Sequence, residues 1–206
     1  MKKIIFLFLV FGFLAGKAQE EKSRFIKKGL FRTTATLSAG VLLKEKTSMI
    51  YGQGIIEYYV ADNVSMRGES FYMVKATYNG DPTFAVYYPH ISANHQIFAG
   101  ANFHFPTKSH FDPYIGFEPG IAIVTAALSP GTTGGEYLSK QTGNPVIATI
   151  LGFNYYFERF FHLFMEARYV HGKYLSDYPD PLSLSELRFS FGLGFNFNFK
   201  KKEGQK

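Results

Sequence analysis

The chain contains no cysteine, which excludes a lipid-modified N-terminal cysteine, a disulfide framework and thiol catalysis at once. Long apolar runs are also missing. The longest, Ile4 to Ala15, has 12 residues, short of the roughly 20 that a helical membrane span needs. Lysine is almost absent from the middles of the segments in which apolar and polar residues alternate. The six histidines, His90, His95, His104, His110, His162 and His171, show no compact metal-ligand spacing, so no metal and no cofactor are expected.

What is present begins with an export signature. Lys2 and Lys3 precede the short apolar run, and Gly16-Lys17-Ala18 comes after it, with small residues at the third and first positions before a cut. Residues 1–19 are therefore expected to be a removable leader, followed by a charged lead-in over 20–30. Loss of Lys2, Lys3 and Lys17 takes the formal charge from +6 to +3. The remaining lysines lie at the ends and in connections, so the sequence pI of about 9.3 does not describe a nucleic-acid-binding face, and no nucleic-acid partner is expected. The length that remains suits one domain.

The clearest stretch is 186–199. Leu187, Phe189, Phe191, Leu193, Phe195, Phe197 and Phe199 alternate without fault with Arg188, Ser190, Gly192, Gly194, Asn196 and Asn198. At about 3.3 Å per residue it is roughly 45 Å long, and tilted by about 40° it crosses an apolar band about 25 Å tall. Seven similar segments precede it, near 31–43, 49–60, 64–75, 91–105, 111–127, 146–157 and 162–174. Ile55 is out of phase with its apolar neighbours, Ser92 falls with Asn94 and Gln96 on the polar face, and Pro119 suggests a bulge. Short turns at 61–63, 106–110 and 158–161 alternate with longer connections at 76–90, 128–145 and 176–185, while 44–48 is a short polar link. The expected fold is all-β, an eight-stranded antiparallel up-and-down transmembrane β-barrel over 31–199 with a charged tail at 200–206.

Alternation alone does not say which face is inside, but the charges do. Glu57, Glu69, Glu118 and Glu166 share the small polar face with Arg32, Arg67, Arg168 and Arg188. A solvated exterior would carry many Lys and Glu; a narrow eight-stranded interior suits small side chains and balanced Glu and Arg. An interior ion network of Glu57, Arg67, Glu69, Glu118, Glu166, Arg168 and Arg188 is expected, with Arg32 at the rim on the short-turn side. The Phe-rich face is then the one that meets lipid.

With export signal, eight alternating segments and a Phe-rich last strand, the chain resembles the small outer-membrane barrels of the OmpX and OmpA type. The resemblance implies residence in the cell outer membrane, insertion by the outer-membrane assembly machinery, contact with lipid and lipopolysaccharide, and a protein partner at the extracellular loops. The tail after Phe199 departs from such families and is too short for a periplasmic domain. The function expected is that of a non-enzymatic structural or interaction protein, or a subunit of an envelope complex, with a plugged polar interior. Two alternatives stand beside it. One is a narrow channel, although eight strands leave little lumen. The other is a lipid A deacylase like the PagL family, in which His171 at the outer rim would serve as base. That family places serine two residues after its histidine, where this chain has Lys173; Ser176 and Asp177 come in the next connection.

Overall fold

The computed structural model describes residues 27–78, 90–107, 109–128, 137–157, 160–175 and 182–198. The expected leader, most of the expected lead-in, the tail and Ser176 and Asp177 lie outside them. Among the described residues nine strands form: β1 (Leu30–Leu42), β2 (Thr47–Ala61), β3 (Val64–Tyr78), β4 (His90–His104), β5 (Phe111–Leu128), β6 (Tyr137–Leu138), β7 (Thr142–Tyr156), β8 (Phe161–Gly172) and β9 (Glu186–Asn198). No helix occurs among the described residues. Eight long strands pair antiparallel with their neighbours, β5 with β7 across the short β6, and β9 with β1 from Leu30↔Asn198 to Leu42↔Glu186. This last ladder closes an eight-stranded barrel and removes the free edges an open sheet would carry.

One end of the barrel carries the Asp62-Asn63 turn, the 105–110 turn, the link between β7 and β8, and both barrel termini. The other, the loop end, carries the remaining four connections. The expected loop at 128–145 is shorter than its composition suggests. β6 occupies part of it, and β7 starts at Thr142, pairing Gly143 with Ile123 and Asn144 with Ala122. Asn144 is buried and donates to the Ala122 carbonyl at 3.2 Å. In a barrel with a polar lining, a polar residue extends a strand as well as an apolar one does.

Two bulges interrupt the alternation near the loop end. Between β2 and β3 the register passes from Tyr51↔Met73 to Ile50↔Lys75, leaving Val74 over. Between β4 and β5 it passes from Ala93↔Thr125 to Ile91↔Ala126, leaving Ser92 over. Each extra residue re-aims the side chains beyond it. Ile91 is buried and Ser92 exposed, the reverse of the faces their spacing assigns. At Pro119 no bulge occurs: β5 stays in register with β7 there, and the ladder to β4 resumes unshifted on both sides. A Cβ at Gly100 would strike the Phe117 carbonyl and the Glu118 backbone, so glycine lets β4 close on β5 where proline has no donor.

Outside and inside are inverted relative to a water-soluble protein. Phe191 is 72% exposed, Leu37 and Leu151 65%, whereas Arg168 and Arg188 are 1% and 0%. Ile55, the out-of-phase residue, points inward and is buried. An exposed band of Phe, Leu, Ile and Met around a charged interior has the character of a lipid-facing surface.

Candidate functional site

The interior is stacked in layers. Nearest the short turns, Arg32 pairs with Glu57 and its Nη1 donates to the Tyr156 hydroxyl at 2.7 Å. Arg32 is buried at 3%, not at a solvated rim. His104 joins this layer, with Nδ1 2.9 Å from Asp112 Oδ1 and Nε2 3.2 Å from Glu57 Oε1. The Tyr59 hydroxyl donates to Asp112 Oδ2 at 2.9 Å, and Asn154 Nδ2 does the same at 2.9 Å. Leu30, Tyr59 and Tyr156 pack beneath the polar layer.

The middle layer holds two guanidiniums and three carboxylates. Arg67 pairs with Glu69 and, at 2.5 Å, with Glu166, while its Nε is 3.8 Å from Glu118. Arg168 pairs with Glu69 and, at 3.0 Å, with Glu118, with Glu166 at 4.0 Å. Gln53 donates to Glu166 at 3.0 Å, as does the Tyr114 hydroxyl. Each Glu thus touches both Arg, so the layer behaves as one unit rather than as separate pairs.

Arg188 lies one layer up, and its acid is Glu186, two residues before it on β9, at 2.7 Å. The expected network leaves that carboxylate out, although its spacing from Arg188 puts it on the same face. Gln96 accepts from Arg188 Nη2 at 3.1 Å. The guanidinium lies 4.1 Å from the Tyr51 ring centroid and 4.0 Å from that of Phe71; Arg168 sits 5.0 Å from Phe71 and 4.9 Å from Phe98. Two Arg therefore flank Phe71, a cation–π arrangement in a desolvated place.

Above the ions most buried side chains are apolar, with Asn94 and Asn144 among the polar ones, which corrects the expectation of a polar lining throughout. Leu42, Met49, Phe71, Ile91, Phe98, Val124, Val146 and Val170 form one cluster with Tyr174, Leu182 and Leu184. The last three come from the described ends of the β8–β9 connection, which turn into the mouth. Leu184 N–H donates to the Gly172 carbonyl at 3.0 Å, Tyr174 N–H to the Leu182 carbonyl at 2.9 Å, and Ser183 N–H to Glu45 Oε1 at 2.8 Å. The Tyr174 hydroxyl meets Ser139 Oγ at 2.7 Å. A cavity of about 10 Å³ among Arg32, Arg67, His162 and Tyr114 is the size of one water.

Two serine–histidine contacts bear on acyl-transfer chemistry. Ser65 Oγ is 2.9 Å from His104 Nε2, and Asp112 holds the other ring nitrogen, the spacing of a hydrolytic triad. However, Ser65 is fully buried and hydrogen-bonded to Glu57, and the Leu30–Tyr59–Tyr156 cluster packs beneath this layer, so no substrate carbonyl can reach it. At the rim, exposed His171 meets Ser185 Oγ at 3.3 Å, and no described carboxylate orients its ring. Among the described residues no group of three His, Cys, Asp or Glu is arranged to hold a metal ion.

No family model and no curated protein matches this chain. Solved structures do match. Neisserial surface protein A aligns with 84% of this chain and 98% of its own at 13% identity and a TM-score of 0.56. The outer membrane protein OprG of Pseudomonas aeruginosa covers 88% and 100% at 13% identity and 0.57. Ail, the attachment invasion locus protein of Yersinia pestis, covers 82% and 99% at 11% identity and 0.53, and a second Ail structure holds the heparin analogue sucrose octasulfate. Identities this low speak for the fold, and with the closed ladder and inverted polarity they give this chain the fold of the small outer-membrane β-barrels.

Proposed function

We propose that the protein is an outer-membrane barrel that works through its loop end, as a structural or interaction protein or as a subunit of an envelope complex, and not as a pore. The observation that carries this reading is the filled interior, ions below and an apolar plug above. Transfer of a hydrated solute would have to break the Arg67–Glu69–Glu166 and Arg168–Glu118 contacts and also displace Tyr174, Leu182 and Leu184. Both moves expose or strand buried groups, at several kcal/mol for an uncompensated charge. The partners that fit are membrane lipid and lipopolysaccharide around the band, the assembly machinery during insertion, and a protein or polyanionic ligand at the loops. The Ail complex with sucrose octasulfate offers a precedent for a polyanionic ligand on a barrel of this fold.

Planar-bilayer recording tests the reading. Inserted wild-type protein should pass no steady unitary current. A large, steady conductance would instead make the narrow channel the better account.

A further inference from the structure

The bulges at Val74 and Ser92 flank the same seam, between β3 and β4 at the loop end. The β3–β4 register ends at Phe71↔Gln96. Just beyond it the Tyr72 and His95 rings stack, with centroids 4.4 Å apart and planes 16° apart, and Met73 N–H donates to His95 Nδ1 at 3.1 Å. A ring nitrogen that accepts carries no proton, so the neutral imidazole keeps its proton on Nε2. Among the described residues nothing takes that Nε2–H. The β3 bulge leaves both Val74 and Lys75 exposed, although alternation from Met73 would send Lys75 inward; the β4 bulge likewise exposes Ser92. A donor, a cation and a hydroxyl thus all belong to the two strands that border this seam. Below them Tyr72 and Ile97 are exposed and apolar. From Val64 to Lys75 the strand rises roughly 28 Å at about 40° tilt, the height at which an apolar band about 25 Å tall gives way to headgroups.

We propose that this seam binds the phosphate of a membrane lipid in the leaflet at the loop end. Lys75 supplies the charge, His95 Nε2–H and the Ser92 hydroxyl supply hydrogen bonds, and the acyl chain runs down over Tyr72 and Ile97. The proposal rests on the outer-membrane reading and names one ligand for it.

The test uses the full chain in nonionic detergent micelles, titrated with phosphatidic acid and with the diacylglycerol of the same chains, bound lipid being counted by native mass spectrometry. Phosphatidic acid should bind about tenfold tighter, the scale of one charge-assisted contact. Lys75→Gln and His95→Phe should each remove most of that preference, while Lys140→Gln, also exposed at the loop end, should leave it intact. Because His95→Phe also frees the Met73 N–H, Lys75→Gln is the cleaner variant. Equal binding of the two lipids, loss of preference in Lys140→Gln, or displacement by millimolar inorganic phosphate would overturn a lipid-phosphate site. Heat-dependent gel mobility separates the two levels: a wild-type chain that shows none fails as a barrel, whereas one that shows it without lipid preference fails only at the seam.

Discussion

Replacing Arg168 by alanine is expected to lower the unfolding free energy by about 3 to 5 kcal/mol, the cost of breaking a buried ionic cluster by removing one partner. The middle layer already sets three carboxylates, Glu69, Glu118 and Glu166, against two guanidiniums, Arg67 and Arg168. Removal of Arg168 leaves Arg67 alone with all three and takes a contact from each. Glu118→Gln works in the opposite direction, since it matches two acids to two bases and keeps the shape. It should cost no more than about 1 kcal/mol, within the range of a single neutral hydrogen bond. Urea titration of refolding into lipid vesicles compares the two directly. If Glu118→Gln proved as damaging as Arg168→Ala, charge balance would not be what the layer is built on. If both were harmless, water would have to reach the layer.

The other large effect belongs to Phe71→Ala, again about 3 to 5 kcal/mol, because a fully buried aromatic leaves a cavity that close-packed neighbours fill only in part. Phe71 makes edge contacts with Tyr51 at 6.0 Å and Phe98 at 5.9 Å, and it separates the Arg168 and Arg188 guanidiniums. Its loss therefore removes packing and lets two like charges see each other across a void. Phe71→Leu keeps much of the volume but no π face, so its own cost relative to wild type reads the cation–π share, about 1 to 2 kcal/mol at a desolvated site, and the further cost of alanine is packing. The same titration reads it. A Phe71→Ala cost below about 1 kcal/mol would mean that the plug is loose.

The faces of the strands are legible in the sequence because period two survives wherever one side meets lipid. Phe189 to Phe197 and Leu163 to Tyr169 need no tertiary information to be assigned outward. Which acid meets which base is not legible, because partners are set by register and tilt. Arg188 finds Glu186 along its own strand, while Arg168 reaches Glu69 from β8 across the lumen to β3. His104 lies in phase with the polar face of its strand, but its meeting with Asp112 across the β4–β5 hairpin depends on the strand register, which spacing does not give. The apolar plug is hidden for a different reason. Phe71, Phe98 and Val170 sit on the polar face and look like faults in the pattern, and Leu182 and Leu184 belong to a connection whose fold-back leaves no periodic trace. The bulges at Val74 and Ser92 shift the phase of a few residues, which local spacing cannot foresee.

The central claim is the direction of the faces in a lipid bilayer, and the absence of tryptophan from the chain makes it directly measurable. Single tryptophans at Leu163, Met165 and Tyr169, outward on β8, and at Phe164 and Val170, inward on the same strand, would be refolded into vesicles whose acyl chains carry bromine. Strong quenching at the three outward positions and little at the two inward ones is the expected result. Equal quenching at Phe164 and Met165, or stronger quenching at Phe164, would contradict the closed barrel with its charged interior and its aromatic face in lipid.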